Sequence, residues 1–202
     1  MATTTPNYGW PVPTSTDYVK DGAAAIEALG DAIDATVFGL GSGLTLIKTQ
    51  TIGTAVTSVN VTSAFSATYD NYRIFVSGGT ASASTDISLK LGASATGYYL
   101  GRTAIVYSNT TSSNSSANNA SAWDGIGRGA TSGLNIGVDL LSPFLAKTTV
   151  IQGHTVNQDV NGAAGASAGW HNSSVSYSDF TIATGGTTLT GGTIRVYGYQ
   201  NS

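Results

Sequence analysis

The sequence predicts a mainly β protein: an extended N-terminal arm and a short coiled-coil-like α-helix, followed by an antiparallel β-sandwich of jelly-roll type. Three observations predict it. Only 9% of the 202 residues are charged and 26 are Gly, a composition suited to closely spaced strands and frequent turns. Helical spacing of apolar residues is confined to residues 14–40. From residue 44 onward, β-branched and aromatic runs alternate with clusters of Gly, Asn and Ser.

The arm covers residues 1–13. Pro6, Pro11 and Pro13 forbid helix and favour polyproline-like backbone. Tyr8 and Trp10 stand between the prolines, so Tyr8, Trp10, Pro11 and Pro13 together form a stiff aromatic peg suited to docking; a frayed terminus is the alternative.

The helix is predicted over 14–40. Thr14-Ser15-Thr16 followed by Asp17 has the pattern of a capping box, and Asp17 and Asp21 suit the positive end of the helix dipole. Val19, Ile26, Ile33 and Leu40 recur every seven residues, with Leu29 in the second seam position. That narrow stripe is the pattern of a helix packed on another helix. The alternative is an amphipathic helix lying on its own β-domain. Gly39-Leu40-Gly41-Ser42-Gly43 ends the helix as a hinge.

Residues 41–202 form the β-domain. Strands are predicted over 44–52, 56–62, 72–78, 86–92, 102–108, 134–141, 147–156, 175–184 and 193–199. Long polar loops are predicted over 108–123 and 161–174, and Gly125-Ile126-Gly127-Arg128-Gly129 reads as a flexible turn. Charge also divides the chain. Residues 1–40 carry five acids and one base, a net −4, whereas residues 41–202 carry six acids and seven bases, a net +1.

The chemistry inventory points away from an enzyme. There is no Cys, so disulfide, zinc–thiolate and thiol chemistry are excluded. The two histidines, His154 and His171, have no partners at metal-ligand spacing, and no G-x-S-x-G, H-E-x-x-H or calcium-loop pattern occurs. Asp124, Asp139, Asp159 and Asp179 stand singly and read as turn formers. No catalytic residue, metal or cofactor is expected. The basic residues are scattered, so nucleic acid is not an expected partner, and no apolar run is long enough to span a membrane as a helix. The segment MATTTPNYGW lacks the basic and apolar regions of a secretory signal, which predicts assembly in the cytoplasm. A non-catalytic role in sugar binding is compatible with the exposed-loop aromatics. Trp123, Trp170 and His171 are the candidate receptor or glycan contacts, with Tyr98 and Tyr99 beside them; a place in the core is the alternative for each aromatic.

Residues 6–34 carry a resemblance. An aromatic–proline stretch, Tyr8-Gly9-Trp10-Pro11 with Pro13, precedes Asp17, Val19, Lys20, Asp21, Gly22, Ala23, Ala25, Ile26, Leu29, Gly30, Ile33 and Asp34. This resembles the N-terminal segment of bacteriophage tail-fibre and minor virion proteins. The closing Thr193–Tyr199 is loosely similar to the last strand of β-rich virion domains. The resemblance implies a virion protein that is a homotrimer. It makes Val19, Ile26, Leu29 and Ile33 a trimer seam and the arm a dock onto tail or capsid proteins; by heptad rules alone, Ile with Leu favours a dimer. The implied function is a tail-associated attachment fibre. Capsid decoration or a head fibre, and a carbohydrate-binding module, are the alternatives.

Overall fold

The computed structural model describes residues 3–15, 18–39, 43–159 and 161–201. The chain divides into two compact units, Met1–Gly43 and Leu44–Ser202.

In the first unit the arm is a small hairpin, which corrects the expectation of an extended arm. β1 (Thr3–Thr4) pairs antiparallel with β2 (Pro11–Val12), Thr3 opposite Val12. Proline at the edge of a two-stranded pair sacrifices no ladder bond that a further strand would need. The turn closes through Thr5 N–H to Trp10 O at 2.9 Å and Gly9 N–H to Thr5 O at 3.0 Å. Gly9 takes φ +67°, the left-handed conformation such a reversal requires.

The helix also begins later than the sequence suggests. A 3-10 turn spans Val19–Asp21, and α1 spans Gly22–Gly39. Tyr18 caps the 3-10 turn with extended backbone and no side-chain hydrogen bond, while Thr14 and Ser15 lie before it. The remaining half of the expected capping box, Thr16 and Asp17, and the seam position Leu40, lie outside the described residues.

The second unit is an antiparallel β structure. Its strands are β3 (Leu44–Thr51), β4 (Ser58–Val61), β5 (Asn71–Ala81), β6 (Thr85–Leu91), β7 (Tyr98–Val106), β8 (Ser112–Ala120), β9 (Trp123–Ala130), β10 (Gly133–Leu141), β11 (Thr149–Val156), β12 (Ala163–His171), β13 (Phe180–Thr184) and β14 (Leu189–Tyr199). One layer runs β3-β14-β5-β10-β11-β12-β7-β8, and the other β4-β13-β6-β9. The two are joined by the β9–β10 hairpin, where Gly133 faces Ala130 and Leu134 faces Gly129. Between the layers lie Ile74, Val76, Val138, Ile194 and Val196 from the larger, and Val61, Ile87, Leu89, Phe180 and Ile182 from the smaller. Phe65 stacks on Phe180 at 5.5 Å and meets Tyr72 edge-on at 4.7 Å.

All nine predicted strands are present, most within a few residues of their expected ends. Three segments expected to be irregular are strands instead: β8 in the 108–123 stretch, β9 across the Gly125–Gly129 run, and β12 in the 161–174 stretch. Ser, Asn, Gly and Ala have weak strand preference, and neighbouring ladders override it. β12 is held on both sides, by β11 and β7, across its whole length. In β9 the glycines answer a packing need. A Cβ built on Gly127 would lie 2.5 Å from Cγ1 of Ile136. One on Gly125, at φ +90°, would lie 2.5 Å from Nη1 of Arg102.

Candidate functional site

In the first unit, α1 turns one side towards the hairpin. At 100° per residue, Gly22, Ala25, Leu29, Ala32 and Thr36 share a face, and all are half-buried. The indole N–H of Trp10 donates to Oγ1 of Thr36 at 2.9 Å, and Thr36 Oγ1–H donates back to Ala32 O at 2.8 Å. Trp10, Pro11 and Pro13 are therefore half-buried parts of this small unit. Tyr8 stacks on Trp10 at 5.2 Å yet is 59% exposed. The adjoining face of α1 carries Ile26, Ile33 and Val37, with Ile26 65% and Val37 60% exposed. Of the four seam residues, Ile26 and Ile33 share this face and Leu29 borders the hairpin side. Val19 is almost fully exposed but sits in the 3-10 turn, not on the helix. Val37, missed by the strict seven-residue count, completes the stripe four residues after Ile33.

In the second unit, two of the three expected contact residues are core. Trp123 is fully buried, and its indole N–H donates to Trp170 O at 3.2 Å. His171 is also fully buried, against Tyr98 at 4.3 Å and Trp123 at 6.3 Å. Its Nδ1 accepts from Ser173 N–H at 3.3 Å, which assigns the proton to Nε2, shared between Thr96 O at 3.1 Å and Ser94 Oγ at 2.9 Å. Burial pulls the ring's pKa below its ordinary value, partly opposed by the Thr96 bond. Tyr98 is buried as well, its hydroxyl accepting from Leu91 N–H at 2.8 Å. Neither Trp123 nor His171 can meet a receptor. The reason is the strand period: β12 places Trp170 outward and its neighbour His171 inward.

Trp170 does reach the surface. It is 43% exposed and stacks on Tyr99 at 4.8 Å, directly across the β12–β7 ladder. The outer face of the larger layer around it has an unusual make-up. One cross-strand row runs Arg73, Asp139, Gln152, Ala168, Gly101. The next runs Phe75, Gly137, His154, Ala166, Thr103. The small residues leave a trough of about 650 Å³. At its rim Arg73 grips Asp139 in a fork, Nη2 donating to Oδ2 at 3.1 Å and Nε 2.9 Å from Oδ1. The Tyr199 hydroxyl donates to Oδ1 of Asp139 at 2.7 Å. Burial and the adjoining carboxylate hold that phenol's pKa above the usual tyrosine value.

A second charged cluster ties the layers together. Arg102 from β7 reaches Asp86 of β6 at 2.7 Å, and Arg128 of β9 lies 3.1 Å from the same carboxylate oxygen. Burial and the charge of Asp86 raise the pKa of the neighbouring Asp124, against the pull of Arg102. Arg102 is nearly buried, whereas the side chains of Asp86 and Arg128 are each about a third exposed. No group of three or more metal-capable side chains occurs among the described residues.

No protein-family model, curated protein or solved structure matches the chain.

Proposed function

We propose that the protein is a structural component of a bacteriophage particle: a homotrimeric, tail-associated attachment fibre, anchored by its N-terminal unit and presenting the β-domain to the host surface. One observation carries the reading. The N-terminal unit is a separate compact body whose helix leaves Ile26 and Val37 largely uncovered, and a lone helix does not keep an apolar stripe in water without a partner. Residues 6–34, which carry the likeness to virion N-termini, build this unit. The hairpin changes how the anchor works. Tyr8 projects while Trp10, Pro11 and Pro13 brace it on α1, so the docking element is a folded knob.

A jelly-roll head belongs to the same proposal. With the β7–β8 and β11–β12 hairpins set aside, eight strands remain. Numbered along the chain, they stand 1-8-3-6 in one layer and 2-7-4-5 in the other. That order arises when a long antiparallel ribbon folds over on itself, as in viral jelly rolls. No catalytic role, cofactor or nucleic-acid partner is part of the proposal, and the place of action is the virion. Two alternatives remain, capsid decoration through the same knob and a sugar-binding module using Trp170.

The test is mass and incorporation. Light scattering of the full chain should give three copies, and Ile26→Asp should shift it towards monomer. Deleting residues 2–13 should abolish incorporation into particles. A wild-type chain monomeric at high concentration, or full incorporation without the knob, would refute the reading. Copy number separates fibre from decoration, tens against hundreds per particle.

A further inference from the structure

Gly101 stands where no local need calls for glycine. It lies in the middle of β7, paired with Ala168 of β12 on one side and Ser116 of β8 on the other. A strand interior disfavours glycine, which loses backbone entropy and packs nothing, and such a residue often marks the close approach of a ligand. The other glycines of the described strands each answer a local need. A Cβ on Gly127, Gly165 or Gly169 would run into a core side chain or a neighbouring strand's backbone, and Gly125 and Gly192 take positive φ. At Gly101 φ lies outside the left-handed region and a Cβ would meet nothing within 4 Å. The space it leaves open is the 650 Å³ trough on the outer face of the larger layer, where Gly101 and Ala168 make a floor with Gly137 and Ala166.

We infer that this trough binds an uncharged oligosaccharide. The inference names the ligand of the β-domain, and rests on the proposed attachment role only for where that sugar is met. Three features select the ligand. The first is unused hydrogen-bonding capacity. Gln152 and His154 line the trough from β11, and among the described residues neither side chain has a hydrogen-bond or ion-pair partner. A carboxamide and a neutral imidazole each offer both a donor and an acceptor, which is what a sugar hydroxyl requires of its site. The second is charge. Each arginine lining the trough is matched by a carboxylate, Arg73 by Asp139 at the rim and Arg102 by Asp86 on the inner side. An anionic ligand would have to compete with those pairs, whereas hydroxyl groups can bond to the rim pair without breaking it. The third is length. The trough crosses β5, β10, β11, β12 and β7, a run of roughly 19 Å at ~4.8 Å per strand. His154 also borders two further hollows of about 450 and 370 Å³. The ligand is therefore a chain of several rings laid across the strands. The floor of Gly and Ala lets its C–H faces lie close to the sheet, and the next outward row, with the Trp170–Tyr99 stack, walls one side.

The test is binding of the full chain to an array of neutral glucans, mannans, galactans and chito-oligosaccharides, beside acidic glycans of similar length. The wild type should bind at least one neutral chain. Gly101→Val should weaken that binding at least tenfold by filling the trough, while its thermal midpoint stays at or above that of the wild type, because a β-branched residue suits a strand better than glycine. Gln152→Ala and His154→Ala, both at exposed positions, should each weaken binding severalfold and serve if Gly101→Val folds poorly. Lys90→Ala, on the smaller layer, should leave it unchanged. A wild type that binds no neutral glycan would overturn the inference, and so would binding confined to acidic glycans. Full binding by Gly101→Val, or loss through Trp170→Ala alone, would place the sugar elsewhere and overturn it too. The attachment role fails separately: if the sugar bound by the trough does not block adsorption of particles to cells, that role falls while the site stands.

Discussion

The indole N–H of Trp10 donates a 2.9 Å hydrogen bond to Oγ1 of Thr36, twenty-six residues further on. This bond is a side-chain link that ties the arm to the helix. Thr36 carries it because its hydroxyl, already bonded to Ala32 O, is held with its lone pairs towards the hairpin.

Replacing Thr36 by Val keeps the shape and removes the acceptor. One hydrogen bond in a half-exposed setting is worth about 1 kcal/mol. Amide exchange over residues 3–12 should therefore quicken about fivefold, with exchange in β5, β10 and β14 unchanged. Unaltered protection in the hairpin would mean that ring stacking alone holds it.

His171 makes the β-domain sensitive to acid. Its pKa is lowered in the folded state from the ordinary 6.5, mainly by burial. Above about pH 7 the ring is neutral in both folded and unfolded chains and contributes no pH dependence. Below about 6.5 the unfolded chain takes up a proton that the folded ring refuses, so stability falls with decreasing pH by up to about 1.4 kcal/mol per unit until the folded pKa is reached. Urea midpoints between pH 5 and 8 should decline on the acid side for the wild type and less steeply for His171→Gln. Parallel slopes would show that the carboxylates alone govern the decline.

Gly127→Ala tests the packing of β9 against the larger layer. The added methyl would lie 2.5 Å from Cγ1 of Ile136, so one of the two must move. Overpacking of this kind costs about 1–3 kcal/mol. Combining it with Ile136→Val, which keeps Cγ1 but withdraws the Cδ1 methyl 2.9 Å from the added Cβ, should recover part of the loss. A thermal-denaturation cycle showing strict additivity would disprove the contact.

Asp139→Asn separates charge from stability at the trough rim. The Arg73–Asp139 pair is partly exposed, side chains 38% and 15%, so its loss should cost under about 1 kcal/mol. The Tyr199 phenol should respond more clearly. Its pKa is raised by burial first and then by the Asp139 carboxylate, and losing that charge should bring it down towards 10.0. Ultraviolet titration, differenced against Tyr199→Phe, reads this directly. An unchanged titration would leave burial as the whole cause.

The sequence by itself determined the class and the punctuation. Runs such as Tyr72–Gly78 and Thr193–Tyr199 alternate so regularly that their strands could be placed without a partner in view. Part of the apolar stripe of α1, Ile26 and Ile33, was readable for the same reason, since helix period is a property of the local chain; Val19 lies in the 3-10 turn and Leu29 on the hairpin side. Three things waited for the tertiary structure. β8 and most of β12 are built from Ser, Asn, Ala and Gly, and half of β9 is Gly or Ala, residues with no strand preference to read; they are strands because ladders on β7, β6 and β11 satisfy their backbone. The arm is a hairpin closed by its own turn bonds, and its seat on α1, through the bond from Trp10 to Thr36, is announced by no local pattern. Trp123, Trp170 and His171 looked alike as loop aromatics, yet only Trp170 is outside. Which side of a sheet a residue faces depends on pairing register, and register is a relation between distant segments, fixed when the core closes.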